Sequence, residues 1–346
     1  MYTFKRTEKN RGVAEEYETR AMLYLLNSKR EVDIFLIDTF NDISGSNMDF
    51  KYIVDAQSKG YKSFSPSKIG ESLITLFQNH LSNVKFEKYV LYCKYIDSNY
   101  LLNKQLVNNS ITTYIINDFA EKSRSTIIEY LKKTYNNINE NNDYDTIPKN
   151  IIEEFYKRLI FVEDSSLQAD LIKSSLDLKA IKLIEDKKLN EIFKEISTKR
   201  EELKRINIEG LKIQKTEDCL QYNKYLERRT IESLILSRII GYDIFKDILS
   251  VPFSFIHFIK NLDNESLKDL IISANSDISK AYFDVNNPKP FFECIDFIMD
   301  KLKDTTDIEE IYSQYVLNIR TKPQFLTEIS TKFLISIIID NMNMGG

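Results

Sequence analysis

The 346-residue chain has no tryptophan, and its histidines, cysteines, glycines and prolines are few. The two histidines and three cysteines lie far apart in the sequence: His80, His257, Cys93, Cys219 and Cys294. Zinc sites need clustered cysteine and histidine ligands, so this distribution argues against a zinc centre and favours isolated, reduced thiols. The eight glycines and six prolines favour long helices and strands over a turn-rich all-β fold.

The sequence also lacks long apolar runs. No run approaches the roughly 20 residues that a helix needs to span a bilayer. Residues 1–10 lack the apolar core of a signal peptide. We therefore expect a cytoplasmic protein without a membrane partner. A hydrophobic content of 42% and a charged content of 29% are typical of a globular chain, and the length suggests about two domains.

A strong basic charge is absent as well. The net charge of −4 excludes a global positive field that would attract nucleic acid. The charge is unevenly distributed, because residues 1–96 carry 14 basic and 12 acidic side chains and are therefore mildly positive. This distribution permits a local nucleic-acid surface in the N-terminal part.

Two apolar, strand-like runs lie in this N-terminal part, Val32 to Phe40 and Phe50 to Ala56. We predict that the polar segment Asn41 to Asp49 connects them as a turn, since it holds asparagine, aspartate, serine and glycine. Apolar residues at helical spacing predict a helix before the first strand, from Gly12 to Leu26.

Three polar residues around the second run form a candidate metal-plus-lysine site. Side chains alternate faces along a strand, so Gln57 and Lys59 project to the same side. Mg²⁺ prefers oxygen ligands, and we expect Asp42 to supply a carboxylate and Gln57 a neutral second ligand. Such an ion lowers the pKa of an attacking water in phosphodiester cleavage. Lys59 would orient that water or stabilise the charge on the phosphoryl group.

The spacing D-x(14)-Q-x-K after a glutamate-bearing helix resembles the restriction-endonuclease-like superfamily, in the variant where glutamine replaces the usual acid. More narrowly, R-G-V-A-E-E-Y-E-T-R-A-M-L-Y-L-L, D-T-F-N-D-I and D-A-Q-S-K resemble the double-stranded-DNA endonuclease domain of bacterial anti-phage effectors. Those domains occur in CBASS effectors and in the nuclease subunit of Lamassu systems. The resemblance, over about residues 10 to 100, implies Mg²⁺ or Mn²⁺ as cofactor, double-stranded DNA as substrate, and self-association or defence-system subunits, such as an SMC-type ATPase, as partners.

The resemblance leaves some assignments open. A glutamate of the first helix assists the metal in this superfamily, and Glu16 or Glu15 takes that position. The acid ahead of the Q-x-K pair is Asp42 or Asp38. Asp55 shares a face with the pair and is an auxiliary ligand or a partner that neutralises the lysine. Asp42 also suits a purely structural role as a turn-forming aspartate.

Lys62 and Lys68 follow the candidate site and are expected to contact DNA phosphates. Ser65 and Pro66 predict a helix that begins at Pro66, with Ser65 as its cap. We assign His80, at the end of the apolar stripe of that helix, a structural role.

We predict an α/β restriction-endonuclease-like domain with a mixed sheet over 1–135, an Asn-rich linker over 136–147, and an all-α domain over 148–346. The predicted function is that of a metal-dependent DNA endonuclease which the helical domain controls. Two other functions remain open. One is a nuclease-like module that binds DNA without cutting it, because glutamine is a weaker ligand than a carboxylate. The other is an interaction subunit of a defence complex, which the resemblance to Lamassu suggests.

Overall fold

The computed structural model describes residues 1–4, 12–61, 64–103, 110–139, 143–241, 250–284 and 289–343. The chain divides into two compact units, each made of two segments. The sheet unit comprises Met1–Ser175 and Phe193–Ile231, and the helical unit comprises Leu176–Ile192 and Glu232–Gly346. The predicted layout, an α/β region followed by a helical one, is confirmed at this level.

The described strands belong to the sheet unit and pair as one large and one small sheet. They are β1 (Tyr2–Thr3), β2 (Ile34–Ile37), β3 (Ile43–Ser46), β4 (Ile53–Lys59), β5 (Lys88–Cys93), β6 (Ile111–Tyr114), β7 (Leu159–Asp164), β8 (Lys212–Ile213) and β9 (Tyr225–Glu227). Seven strands pair in the order β6-β7-β5-β4-β3-β2-β9, and β1 pairs with β8. β4, β5 and β7 run parallel while the other neighbours are antiparallel, so the sheet is mixed, as predicted.

The described α-helices run through both units, and the division between the units falls inside α7 and α8. They are α1 (Gly12–Ser28), α2 (Pro66–Ser72), α3 (Ile74–His80), α4 (Glu121–Ile138), α5 (Lys149–Arg158), α6 (Gln168–Lys173), α7 (Asp186–Lys204), α8 (Arg228–Ile240), α9 (Ile256–Ile259), α10 (Asn264–Tyr282), α11 (Lys289–Lys301), α12 (Ile308–Asn318) and α13 (Glu328–Asn343).

The polar connection predicted over Asn41 to Asp49 is wrong in its middle, because it contains strand β3. All four residues of β3 are buried, although three of them are serine or glycine. The Ser44 hydroxyl donates a hydrogen bond to Asp55 at 2.8 Å, which satisfies a polar group inside the fold. A strand made of such small polar residues has no apolar alternation by which sequence could reveal it.

The predicted domain boundary is also corrected. β7 and β9 come from beyond residue 148, yet both lie in the seven-stranded sheet. Within the predicted linker, Tyr144 is buried, and its ring centroid lies 5.3 Å from that of Phe77. A short apolar run such as that of Leu159–Asp164 reads equally well as helix or strand, which is why the sequence gave no sign of β7.

Helix α1 was predicted correctly, and its C-terminal end is held by a distant arginine. The Arg228 guanidinium donates to the backbone carbonyls of Leu26, Lys29 and Val32 at 2.6 to 2.8 Å. Carbonyls at the end of a helix lack partners within the helix, and the partial negative charge there favours a cation. Arg228 therefore stabilises both the end of α1 and the start of β2.

Strand β4 is buried along its whole length because helices cover both faces of the sheet. On one face lies α1, since a Cβ added to Gly45 of neighbouring β3 would lie 3.5 Å from Leu25 of α1. On the other face lies α3, where the Asn79 amide donates to Asp55 at 2.8 Å. Val54 and Ala56 therefore lie on the face towards α1, whereas Asp55 and Gln57 lie on the face towards α3.

The helical unit is built from packed helices with polar contacts at its edges. Asp296 on α11 accepts a hydrogen bond from the backbone nitrogen of Ala180 at 2.7 Å. Lys332 on α13 is buried between two carboxylates, at 2.8 Å from Glu309 and 2.7 Å from Glu328. Within the described ranges, no helix is long and apolar enough to cross a membrane.

Helices α2 and α4 touch at Gly70, and this contact yields a stability prediction. A Cβ at position 70 would lie 2.3 Å from the carbonyl oxygen of Ile127 and 2.9 Å from Cβ of Tyr130. Because backbone cannot yield as a flexible side chain does, Gly70→Ala should lower the free energy of unfolding by at least about 2 kcal/mol, measured by urea titration. Glu71→Ala, on the exposed side of the same helix, is the control and should change it by less than about 0.5 kcal/mol. A Gly70→Ala variant as stable as wild type would contradict the close contact.

Candidate active site

Asp42 lies in the turn between β2 and β3, immediately before β3 begins. In the register of the sheet Ile43 faces Ala56, so Asp42 lies beside Gln57 of β4. Its Oδ2 atom accepts three hydrogen bonds: from the Gln57 amide at 2.9 Å, the Ser58 backbone nitrogen at 2.7 Å and the Ser58 hydroxyl at 2.9 Å. The structure thus brings the predicted acid and the predicted glutamine into direct contact.

Gln57 is almost fully buried under helix α3. Its Nε2 donates to Asp42, and its Oε1 accepts a hydrogen bond of 2.7 Å from the hydroxyl of Thr75 on α3. Thr75 in turn lies 3.2 Å from Nδ2 of Asn41, the neighbour of Asp42. The nitrogen and the oxygen of the Gln57 amide are therefore both held by hydrogen bonds, to Asp42 and Thr75 respectively.

Lys59 ends β4, two residues after Gln57, and only 8% of its surface is exposed. Alternation along the strand places it on the same face as Gln57. It pairs across the sheet with Cys93, the last residue of β5. The lysine therefore lies at the edge where the parallel strands end, and ligands of mixed α/β sheets commonly bind at such an edge.

Asp55 is fully buried on the same face and is held by neutral donors. It accepts hydrogen bonds of 2.8 Å from the Ser44 hydroxyl and from Nδ2 of Asn79. Asn79 is itself fixed, because Tyr2 donates to its Oδ1 at 2.9 Å. Burial raises the pKa of Asp55 to about 6, although the hydrogen bonds from Asn79, Ser44 and Asn41 oppose this rise. Asp55 is thus fixed in the interior of the fold two residues before Gln57, and its role as an auxiliary ligand or as a partner of Lys59 stays a prediction.

Asp42 and Gln57 carry donors that a hard divalent cation prefers, one carboxylate and one amide oxygen. Because the two side chains are in contact, one ion can bind both, with water completing its shell as Mg²⁺ commonly requires. In the structure, however, the amide nitrogen of Gln57 faces the Asp42 carboxylate. The pair therefore fits Mg²⁺ or Mn²⁺ only after the Gln57 amide rotates by about 180°, so that its oxygen faces Asp42. Among the described residues, no group of three or more His, Cys, Asp and Glu is placed to hold a metal.

The structure places Glu16 in a different network. Its carboxylate bonds to Nε of Arg20 at 2.8 Å, and Arg20 also contacts the buried Asp164 at the end of β7. Burial disfavours the charged form of Glu16, but the hydrogen bonds from Arg20 and Gln168 prevail and its pKa is lowered. In the structure Arg20, one helical turn later, binds the Glu16 carboxylate, and assistance of the metal by Glu16 stays a prediction.

The alternative acids Glu15 and Asp38 have other partners, although the backbone nitrogen of Asp38 donates to the Asp42 carbonyl at 2.9 Å. The Glu15 carbonyl, not its carboxylate, accepts a hydrogen bond of 3.1 Å from the buried Arg200 of α7. Asp38 is in the turn after β2 with φ of 45° rather than in the strand as predicted, and it forms an ion pair of 3.3 Å with Lys224. Of the two candidate acids before the Q-x-K pair, Asp42 is the one that contacts Gln57.

The predicted phosphate contacts are only partly described. Lys62 lies outside the described residues. Lys68 is exposed on α2, and its ammonium lies 5.5 Å from the centre of the Tyr61 ring. Helix α2 begins as predicted at Pro66, and the Ser65 hydroxyl accepts a hydrogen bond from the Lys68 backbone nitrogen. His80 has a structural role, because its ring bonds to Tyr89 at 3.2 Å and to a backbone carbonyl.

Sequence reasoning missed four residues around this site: Asn41, Ser58, Thr75 and Lys224. Ser58 lies on the face of β4 opposite to Gln57 by strand alternation, yet its backbone nitrogen and hydroxyl both bond Asp42. Thr75 and Lys224 reach the site through tertiary contacts alone. No spacing in the sequence relates them to the Q-x-K motif, whereas the adjacency of Asn41 to Asp42 was an available signal.

The buried Asp55 predicts a pH dependence of stability. Its pKa in the folded chain is about 6, against 3.8 for the free group, so the folded state retains a proton that the unfolded state loses. The contribution of Asp55 to stability is therefore fully present below pH 4 and is lost as the pH rises to about 6, by about 3 kcal/mol if each pKa unit contributes about 1.4 kcal/mol. Asp55→Asn removes the charge, keeps an oxygen that accepts from Asn79 and gains a nitrogen that can donate to the Ser44 hydroxyl. It should abolish this fall, measured by urea unfolding at pH 4 to 8.

The control for this prediction is Asp49→Asn, since Asp49 is exposed and pairs with Lys51 on the surface. It should retain the wild-type fall between pH 4 and pH 6. A stability profile of Asp55→Asn that follows wild type throughout would show that Asp55 is not a carboxylate held against its ionisation.

Comparison of the chain with protein-family models finds no match. No curated protein and no solved structure matches it significantly either. The resemblance to restriction-endonuclease-like nucleases therefore depends on the motif residues and on the geometry described above.

Proposed function

We propose that the sheet unit is a restriction-endonuclease-like domain and that the protein is a Mg²⁺- or Mn²⁺-dependent DNA endonuclease. The observation that carries the proposal is the contact of 2.9 Å between Asp42 and Gln57 across β3 and β4, with Lys59 two residues further along the same strand. The order of elements supports it. The chain forms helix α1, three antiparallel strands, helices α2 and α3, and then strand β5, which runs parallel to β4. These strands pair as a mixed sheet of the kind expected for such a core.

In this proposal each residue of the site has a separate task. Asp42 and Gln57 hold the metal, which when bound neutralises charge on the phosphate and lowers the pKa of the attacking water. Ser58 fixes the Asp42 carboxylate through two hydrogen bonds. Lys59 has only 8% of its surface exposed, so its side chain is held in place beside the pair, where the ammonium orients the water or stabilises the developing charge.

The cleavage assay tests the proposal directly. The full-length chain should cut supercoiled and linear duplex DNA with Mg²⁺ or Mn²⁺, and Asp42→Ala and Lys59→Ala should each lower the rate by at least about 100-fold. Asp49→Ala and Lys51→Ala make the same charge changes on the surface between β3 and β4 and should cut like wild type. Thermal unfolding of all five proteins checks that they are folded.

Two results would contradict the proposal. Equal cleavage by wild type, Asp42→Ala and Lys59→Ala would place the activity elsewhere. Absence of cleavage with either metal, both alone and with the products of neighbouring genes, would exclude the endonuclease.

A second function, DNA binding without cleavage, is favoured by the orientation of the Gln57 amide. Its nitrogen donates to Asp42 and its oxygen is bonded by Thr75, so the two side chains stabilise each other without a metal. This function predicts an affinity for duplex DNA that weakens steeply with salt and survives Lys59→Ala. Fluorescence anisotropy at 50 and 200 mM salt measures it, and absence of DNA binding at low salt excludes it.

We further propose that the protein is cytoplasmic, acts in defence against phage, and is controlled through its helical unit by self-association or by partner subunits, such as an SMC-type ATPase. Exposed apolar side chains in that unit support a protein partner, since Phe253 is 80% and Leu317 is 83% exposed. Light scattering coupled to the cleavage assay tests the control. A monomer that is fully active on DNA without partners would contradict it.

A further inference from the structure

The hydroxyl of Thr75 lies between the two side-chain amides that flank the candidate metal pair. It donates to Oε1 of Gln57 at 2.7 Å and accepts from Nδ2 of Asn41 at 3.2 Å. Thr75 is on helix α3, whereas Gln57 is on β4 and Asn41 precedes β3. One hydroxyl group therefore connects the helix with both strands of the site.

The orientation of the Asn41 amide is set independently of Thr75. Its Oδ1 accepts a hydrogen bond of 3.1 Å from the backbone nitrogen of Asp42, and only an oxygen can fill that position. Asn41 is also 5% exposed, so no bulk solvent replaces this bond. The Thr75 hydroxyl therefore faces an Asn41 amide of fixed orientation, whose Nδ2 donor lies 3.2 Å away and whose Oδ1 acceptor lies 3.4 Å away.

This geometry allows the Thr75 hydroxyl two arrangements, because a hydroxyl both donates and accepts. In the arrangement that the structure shows, here called the described arrangement, the hydroxyl accepts from Nδ2 of Asn41 and donates to the oxygen of Gln57. In the other, it donates to Oδ1 of Asn41 and accepts from the nitrogen of Gln57. The second arrangement turns the Gln57 oxygen towards Asp42, where two oxygens face each other and repel unless a cation lies between them.

We propose that Thr75 is a positioning residue that selects which end of the Gln57 amide faces Asp42, so that divalent-cation binding requires the Thr75 hydroxyl to reverse its hydrogen bonds. The inference rests on the proposed metal role of Asp42 and Gln57. It adds that the glutamine of this motif serves as a ligand only with a hydroxyl partner that accepts either end of its amide. A carboxylate at position 57 has oxygens at both ends and needs no such partner.

Removal of the hydroxyl affects the two arrangements unequally. In Thr75→Val, the described arrangement loses the donor to the Gln57 oxygen and one acceptor for Nδ2 of Asn41, but that amide keeps its hydrogen bond to the Asp55 carboxylate. The reversed arrangement loses the acceptor for the Gln57 nitrogen and leaves that N–H without a partner. A buried N–H without a partner is rarer and more costly than an under-bonded carbonyl. Thr75→Val should therefore disfavour the reversed arrangement and weaken metal binding, whereas Thr75→Ser keeps the hydroxyl and should bind like wild type.

The test measures Mn²⁺ binding to the full-length chain by the electron paramagnetic resonance signal of free Mn²⁺. Wild type should bind one ion, and Asp42→Ala should abolish this binding. Thr75→Val should raise the dissociation constant about tenfold, which corresponds to one buried donor left without a partner. In DNA cleavage, the Mn²⁺ concentration for half-maximal rate should rise by a similar factor while the rate at saturating Mn²⁺ changes little.

A double-mutant comparison separates positioning from a general effect of Thr75 on packing. In the Gln57→Glu background no amide has to turn, so adding Thr75→Val should change the dissociation constant by less than about twofold. An equal, tenfold loss in both backgrounds would indicate damage to packing and would overturn the positioning role. Thermal unfolding of every variant confirms that the comparison is made between folded proteins.

The outcomes distinguish this inference from the proposed function. Asp42-dependent Mn²⁺ binding that is the same in wild type and Thr75→Val would overturn the inference and leave the endonuclease intact. Binding by Gln57→Glu but not by wild type would overturn it as well, because the glutamine amide then never becomes a ligand. Absence of Asp42-dependent binding in both wild type and Gln57→Glu would reject the metal site itself.

Discussion

The pairing register of β3 with β4 is the constraint on which the candidate site depends. Ile43 faces Ala56, and this register places Asp42 beside Gln57. A slip by one residue would move every side chain of one strand to the opposite face of the sheet. Asp42 itself opposes such a slip, because its carboxylate binds both the backbone and the hydroxyl of Ser58. The same bonds therefore fix the fold locally and position the acid.

The layer between β4 and α3 is polar although it is buried, and this is the second unusual feature of the fold. Asp55 and Gln57 lie on this face, where a soluble protein ordinarily packs apolar side chains. Their polar atoms are satisfied by Asn79, Thr75 and neighbouring strands, so the cost of burial is offset by hydrogen bonds. A buried network of this kind departs from the simplest core packing, and such departures are expected at functional sites.

The sequence predicted those parts of the fold that depend on local pattern. Helix α1 has apolar residues at helical spacing, and β4 overlaps the apolar run Phe50 to Ala56 and ends at Lys59. β3 could not be predicted, because Ile43–Ser46 contains little apolar surface and is buried by its neighbours. β7 and β9 join the sheet through contacts between distant segments, which no local pattern encodes. Thr75 was missed for the same reason, whereas the Asp42–Gln57 pair was expected from the motif spacing although β3, the strand that brings the two residues together, was not predicted.

The central claim is that Asp42 and Gln57 together bind a divalent cation. Anomalous X-ray diffraction from crystals of the full-length protein grown with Mn²⁺ tests it most directly, because the ion and both side chains are located in one map. The account predicts an anomalous peak in contact with the Asp42 carboxylate and with Oε1 of Gln57, and a Gln57 amide nitrogen that faces Thr75. A map without a peak at this pair, in which the Gln57 nitrogen still donates to Asp42, would contradict it.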